Sequence, residues 1–165
     1  MGVHLIEDTR QQAGKHGAKH EWFEANGVGV TRSKLAVGDY ASPPRVAVDT
    51  KMSVQELAAD VWQQHERFKR EVLLARAMGT RLVVLVENEH GLRCLADLYR
   101  WREPDAEMAR RSRGGRARPR RIVGATLYKA CETMRLRYGV EFEFCAPCDS
   151  ARRVVEILGE VEDGC

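Results

Sequence analysis

The chain has 165 residues, of which 44% are hydrophobic and 31% are charged, and its formal net charge at pH 7 is +3. This length predicts one domain with a single core over residues 1–160 and a short tail at 161–165. No hydrophobic run approaches the ~20 residues that cross a bilayer, and the N-terminal residues turn charged at once. We therefore expect no membrane contact, no secretory signal and a cytoplasmic location.

The first predicted elements are a strand, a helix and a second strand. Residues 3–8 begin as a buried strand and end in two acids, of which Asp8 lies at the mouth of the predicted sheet. Asp8 could join an acidic site there or could cap a turn. Residues 15–25 have helical spacing, and we expect His16 and His20 on an exposed basic face of that helix. A short strand is predicted at 28–32.

Two further strands are predicted within residues 35–51, joined by a turn at the prolines of 42–44. With the preceding strand they would form an antiparallel meander. Asp39 lies near the end of the first strand, while Asp49 and Lys51 leave the same face of the second. Two acids beside a cation suit metal-dependent hydrolysis of a phosphodiester. The alternative is a solvent-facing edge strand with a cross-strand charge pair.

A long helix is predicted next, from the capping box of Ser53 and Glu56 to a stop near Gly79. One stripe of this helix is apolar and should pack on the sheet: Val54, Leu57, Val61, Phe68, Val72 and Ala75. A polar stripe runs beside it: Asp60, Gln64, Arg67 and Glu71. Arg67 and Glu71 could pair at i, i+4 or could look towards the strand ends.

The second half of the chain alternates strands and helices. Residues 81–86 form a continuous hydrophobic run, which is typical of a strand covered on both faces and reached by a β–α–β crossover. A helix at 94–101, a helix through 127–138, an edge strand at 140–145 and a last helix at 151–158 complete the prediction.

A basic flexible loop is predicted at residues 103–121. Its second part, 110–121, holds seven arginines and no acid, so the rest of the chain carries −4, which is +3 less seven. Arginine interleaved with Gly, Ser and Pro does not build a core, so the loop is either a solvated linker or a phosphate-binding segment.

Five motifs then follow one another in a recognisable order. They are Asp8-Thr9-Arg10, Val37-Gly38-Asp39-Tyr40, Asp49-Thr50-Lys51, Arg67 with Glu71, and the hydrophobic strand from Leu82 to Glu87. In this order the chain resembles the nuclease domain of the XPF/Hef excision-repair endonucleases, a branch of the PD-(D/E)XK superfamily. The resemblance implies an α/β fold with a restriction-endonuclease-like core, in which helices flank a central mixed β-sheet.

The chain also departs from that family. The third motif is typically Glu-Arg-Lys there, whereas Asp49-Thr50-Lys51 keeps the carboxylate and the lysine but lacks the arginine. The tandem helix-hairpin-helix segment, through which relatives dimerise and grip branched DNA, is not part of this sequence. The chain is in this respect similar to stand-alone domains of phage and bacterial genomes.

The resemblance implies a role for each residue of these motifs. Asp39, Asp49 and the carbonyl of Thr50 would bind Mg²⁺ or Mn²⁺, and Asp8 would bind a second ion or a shared water. Lys51 would orient or activate the attacking water, and Glu71 would hold a metal-bound water or Arg67. The residues expected to contact DNA phosphates are Arg10, Arg67, Arg116 and Arg118.

The predicted function is that of a metal-dependent DNA endonuclease acting on branched, flap or fork DNA in repair, recombination or phage DNA processing. DNA is the expected partner, and a homodimer is compatible with the resemblance. The first alternative is a non-catalytic DNA-binding module on the same fold. The second is an α/β scaffold whose arginine loop binds RNA or an acidic protein, in which case Asp39 and Asp49 should point apart.

Overall fold

Six strands form one mixed sheet across the residues that the computed structural model describes, which are 3–11, 16–42, 45–113 and 120–159. The strands are β1 (His4–Asp8), β2 (Gly29–Ser33), β3 (Tyr40–Ser42), β4 (Val46–Lys51), β5 (Arg81–Glu87) and β6 (Glu141–Cys145). Their order is β2-β1-β3-β4-β5-β6. β3 is antiparallel to both of its neighbours, and the other adjacent pairs are parallel. The predicted architecture is therefore confirmed.

Helices cover the two faces of this sheet. They are α1 (Gly17–Ala25), α2 (Val54–Trp62), α3 (His65–Ala77), α4 (Asp105–Ser112), α5 (Gly124–Tyr138) and α6 (Ser150–Gly159), with a short 3₁₀ helix at Leu95–Tyr99. On one face Ala47, Val84 and Val86 pack with α2, α3 and α5, and on the other Val48 and Leu85 pack with α1 and α6. β4 and β5 are buried on both faces, which confirms the prediction for residues 81–86.

The strand predicted within residues 35–39 is wrong, because β3 begins only at Tyr40. Gly38 has a φ of +72°, a left-handed conformation that interrupts an extended strand. The main chain of Asp39 still joins the sheet, since its N–H donates to Val48 O at 2.8 Å and its carbonyl accepts from Asp8 N at 2.8 Å. Asp39 therefore enters the sheet at the start of β3.

The predicted antiparallel meander is also wrong. β2 pairs in parallel with the outer side of β1, so β1 separates it from β3. Four of the five residues of β2 are exposed, as befits a strand at the edge of the sheet.

The single long helix predicted from residue 53 is divided into α2 and α3. Gln63 and Gln64 separate the two helices, and Gln64 has non-helical angles of φ −111° and ψ 25°. The predicted apolar stripe is nevertheless buried at all six positions. The break contains neither Pro nor Gly, so the sequence carries no local signal for it.

The segment predicted as a flexible loop contains α4 in its first half. Glu103 anchors this region with a fully buried carboxylate, which accepts two hydrogen bonds of 2.7 Å from Arg111 and one of 2.7 Å from Ile122 N. Arg116 and Arg118 lie outside the described residues.

The remaining predicted elements correspond to elements of the structure. A 3₁₀ helix replaces the helix predicted at 94–101, while α5 ends at Tyr138 and β6 lies at the sheet edge, as predicted. Within the described ranges, no helix combines the length and the apolar character that a bilayer span requires.

Candidate active site

A cleft of about 450 Å³ opens where β4 ends and β3 begins. Its acidic lining residues are Asp8, Asp39, Asp49, Glu56 and Glu71, and its basic ones are Arg10, His16, Lys51 and Arg67. Thr50 lines it as well. Of the predicted site residues, all those within the described ranges line this one cleft. Asp39 and Asp49 both line this cleft, as the nuclease interpretation expects of them.

Asp39 is oriented by the residue that follows Asp49. Its Oδ2 accepts two hydrogen bonds from Thr50, one of 2.8 Å from the main-chain N–H and one of 2.7 Å from the hydroxyl. Since strand residues alternate in direction, Thr50 can hold Asp39 while its neighbours Asp49 and Lys51 face the helices α2 and α3. The Asp-Thr-Lys sequence therefore positions three side chains at once.

Asp49 is almost completely buried, and this burial dominates its ionisation. Burial raises the pKa of Asp49 to about 8 from an ordinary value of 3.8, with Lys51 opposing the rise and the charges of Asp39 and Glu71 adding to it. Among the described residues, no donor makes a well-directed hydrogen bond to its Oδ2, although Lys51 Nζ lies 2.8 Å away. Asp49 is thus a buried carboxyl group with one cation, Lys51, and two acids, Asp39 and Glu71, acting on it.

Lys51 lies between two buried acids, of which sequence reasoning identified only one. Its Nζ is 2.8 Å from Asp49 Oδ2 and 2.5 Å from Oδ2 of Asp60 on α2. Burial by itself would lower the pKa of Lys51, but Asp49 and Asp60 together raise it above its ordinary value. The available signal for Asp60 was its place in the polar stripe, directly before the buried Val61.

Asp8 is engaged by Arg10. Its Oδ2 accepts from Arg10 Nε at 2.6 Å, and its Oδ1 accepts from the main-chain N–H groups of Arg10 at 3.2 Å and of Leu35 at 3.4 Å. Burial alone would raise the pKa of Asp8, but these hydrogen bonds bring it below its ordinary value. Asp8 therefore faces the cleft as half of an ion pair.

Glu71 and Arg67 do not form the i, i+4 pair that was considered for them. Glu71 Oε1 accepts a 2.9 Å hydrogen bond from Gly38 N, which fixes the loop before Asp39. Arg67 Nη2 lies 3.8 Å from Asp60 Oδ1, and the Arg67 side chain is 65% exposed. Arg67 consequently keeps a guanidinium available at the cleft.

The prediction of an exposed face with His16 and His20 is correct for His20 and wrong for His16. His16, the residue directly before α1, is buried at the cleft. Lys19 is buried with its Nζ 2.5 Å from Glu87 Oε1, and His20 Nε2 lies 2.7 Å from Oε1 of the buried Glu7. These acids on β1 and β5 attract the basic residues to the sheet, a pairing that the sequence of α1 alone does not reveal.

The donor set of the cleft fits a hard divalent cation such as Mg²⁺ or Mn²⁺. Within the described part of the chain, no three His, Cys, Asp or Glu side chains are grouped as metal ligands by themselves. Two carboxylates, Asp39 and Asp49, and the main-chain carbonyl of Thr50 nevertheless offer oxygen donors of the kind these ions prefer. The buried Oδ2 of Asp49, which lacks a well-directed donor, is the observation that favours a cation here.

Comparison with known proteins identifies the fold. No family model and no curated protein matches the chain. Among solved structures, XPF from Aeropyrum pernix matches with a TM-score of 0.63 and 16% identity over 98% of this chain and 62% of that one. XPF from Aeropyrum pernix in complex with DNA matches with a TM-score of 0.65 and 18% identity over 97% and 64%.

The chain thus spans less than two thirds of each matched structure. The predicted XPF-like nuclease fold is confirmed, and it covers nearly the whole chain.

Proposed function

We propose that the protein is a divalent-metal-dependent DNA endonuclease that hydrolyses phosphodiester bonds in the cleft. The main support is the buried pair of Asp49 and Lys51, which lies with Asp39 at one cleft. The fold is also shared with a protein whose structure is known in complex with DNA. Flap or fork DNA, in repair, recombination or phage DNA processing, is the proposed substrate class, and a homodimer is the proposed assembly.

Asp39, Asp49 and the carbonyl of Thr50 would hold Mg²⁺ or Mn²⁺. When bound, the ion would offset charge on the scissile phosphate and lower the pKa of a coordinated water. Asp8 would bind a second ion or a shared water after Arg10 moves from Asp8 to a DNA phosphate. In the free protein Asp8 instead keeps the guanidinium of Arg10 at the cleft.

Lys51 would act as an ammonium. Because its pKa is raised, it is protonated at neutral pH and donates a hydrogen bond to the attacking water or to a phosphate oxygen, but it does not take the proton of that water. Hydrolysis joins the water oxygen to phosphorus and breaks one P–O ester bond, whose leaving oxygen takes up a proton. Lys51 would thus orient the attack and stabilise the added negative charge.

The exposed guanidinium groups at the cleft are suited to phosphates. Arg10 and Arg67 have side chains that are 60% and 65% exposed, so their guanidinium groups are accessible to a ligand from solvent. Glu71 would act indirectly, by holding the main chain before Asp39. Arg116 and Arg118 are also proposed to contact DNA phosphates.

Cleavage of labelled duplex, single-stranded, fork and flap DNA in Mg²⁺, in Mn²⁺ and in EDTA tests this function. We expect cutting that depends on the metal. The cleavage rate should fall about a hundredfold or more in Asp49→Asn and in Lys51→Met, while DNA binding is retained. Glu132→Gln, at a partly exposed acid of α5 that pairs with Arg135, is the control and should cut like wild type.

The other outcomes separate the alternatives. DNA binding without cutting in either metal would contradict the nuclease and identify a DNA-binding module. If the protein neither binds nor cuts DNA, both functions are contradicted and only the assignment of the fold stands. Light scattering on the same preparation tests the homodimer.

A further inference from the structure

The two acids beside Lys51 contact it from different elements. Asp49 lies on the same strand, and Asp60 lies on α2, which crosses the sheet. Nζ is 2.8 Å from the first carboxylate and 2.5 Å from the second. All three side chains are at least nine-tenths buried, so the Lys51 ammonium depends on these two carboxyl groups rather than on water.

The two acids differ in what else they can reach. Asp49 lines the cleft, whereas Asp60 is not among its lining residues in the described part of the chain. Asp60 therefore lies behind Lys51 as seen from the cleft. Its second neighbour is Arg67, at 3.8 Å, and that side chain extends into solvent.

Asp60 is also held in place more firmly than a surface acid. Leu57 and Val61, which flank it on α2, are buried in the core. The ring of Phe68 lies 5.8 Å from Lys51 Nζ. Because packing fixes both the helix and the lysine, the Asp60 carboxylate does not need to move for Lys51 to stay paired.

The proposed function requires Asp49 to change partners. A divalent cation at the Asp49 carboxylate would compete with Lys51 for the same oxygens. A buried ammonium that lost its only counterion would be strongly destabilised, so pairing of Lys51 with Asp49 alone would oppose cation binding. A second counterion that stays in place would keep Lys51 paired when Asp49 binds the cation.

We propose that Asp60 is a positioning residue that serves as the fixed counterion of Lys51 and so leaves Asp49 free to bind a divalent cation. This inference rests on the proposed function. Asp60 touches neither the cation nor the DNA, and it acts only through Lys51.

Binding of Mn²⁺ alone to the DNA-free protein tests this role by calorimetry. The four proteins are wild type, Asp60→Asn, Lys51→Met and the double variant. We expect Asp60→Asn to weaken Mn²⁺ binding at least about fivefold when Lys51 is present, and by less than about twofold in the Lys51→Met background, because the coupling passes through Lys51. Equal weakening in both backgrounds would overturn the inference, since Asp60 would then act as a ligand or as a general negative charge.

Denaturant unfolding of the same four proteins in EDTA gives a second readout that needs neither metal nor activity. Asp60→Asn should lower the unfolding midpoint, and adding Lys51→Met should recover part of the loss, because the double variant no longer buries an ammonium that lacks Asp60. Equal shifts in both backgrounds would contradict the pairing. If Asp60→Asn does not fold, recovery of folding by the double variant supports the pairing, and failure of both opposes it.

The two proposals fail in different ways. Absence of Mn²⁺ binding by wild type would contradict the metal-dependent nuclease, together with the part of this inference that concerns the cation. Mn²⁺ binding by wild type with equal effects of Asp60→Asn in both backgrounds would contradict this inference alone.

Discussion

At the cleft, the acidic side chains are held in place by contacts with individual neighbouring residues. Thr50 holds Asp39 with two hydrogen bonds, Arg10 holds Asp8, and Lys51 stands between Asp49 and Asp60. Of these acids, Asp49 has the least compensation relative to its burial, since its raised pKa reflects burial first and neighbouring acids second. A cation bound beside Asp49, as proposed, would offset the negative charge of its neighbours.

The ionisation of Asp49 predicts how stability depends on pH. Because burial raises its pKa to about 8, the folded protein keeps a proton that the unfolded chain releases near pH 4, so stability falls as the pH rises between these values. Asn cannot lose a proton. In EDTA, Asp49→Asn should therefore gain stability relative to wild type, by at least about 1 kcal/mol more at pH 8 than near pH 5.

Urea denaturation at a series of pH values measures this difference. Asp105→Asn is the control, because that side chain is 87% exposed and remains in water in both states. A difference between Asp49→Asn and wild type that is constant with pH would show that Asp49 is ionised in the folded protein throughout this range.

Among the elements, α5 and the 3₁₀ helix at Leu95–Tyr99 make an unusually close contact. It occurs at Gly124, the first residue of α5, where a Cβ would lie 2.2 Å from the carbonyl oxygen of Leu98 and 2.5 Å from that of Trp101. Both obstacles are main-chain atoms, so a rotamer change cannot relieve the overlap. The glycine is therefore required by the close approach of the two segments.

Gly124→Ala should destabilise the protein by about 1–3 kcal/mol, because α5 or the 3₁₀ helix must move to admit the methyl group. Thermal or urea unfolding measures the loss. Gly17→Ala in α1 is the matched control, since a Cβ there meets nothing within 4 Å, and it should leave stability unchanged or raise it slightly. Equal stability of the two variants would contradict the close contact.

Across the whole molecule, positive and negative charge are separated along the chain. Seven arginines fall in residues 110–121, and the remainder of the chain is net negative, including the acidic cleft. α4 carries Arg110 and Arg111 in its last turn and is joined to the core through Glu103. Attraction of DNA would therefore depend on the arginine segment, while the acidic cleft would attract the proposed cation.

This separation predicts the salt dependence of DNA binding. If Arg116 and Arg118 each neutralise one phosphate, replacing either with Gln should reduce the slope of log K against log salt by about 0.9. Arg137→Gln is the control, because it lies near the end of α5, beside the start of β6 and opposite the cleft. Fluorescence anisotropy in EDTA measures the slopes, and identical slopes for all variants would contradict the phosphate contacts.

Local patterns in the sequence determined most of the elements and the composition of the cleft. The hydrophobic run at 81–86 was predicted as a doubly covered strand, and the apolar stripe from Val54 to Ala75 as a packed face. Asp49 and Lys51 were grouped because strand alternation places alternate side chains on one face, and Asp39 joined them from the neighbouring predicted strand. These features are set by neighbours a few residues away, so a single sequence is enough to identify them.

Tertiary structure alone decided which elements meet and therefore which charges become partners. The position of β2 outside β1, the break at Gln63 and Gln64, and the burial of Lys19 against Glu87 have no signal in local spacing. Asp60 contacts Lys51 only because α2 crosses the sheet with that side of the helix towards β4. Such pairings arise from the docking of whole surfaces, whose energy is summed over many distant residues, and no short stretch of sequence encodes them.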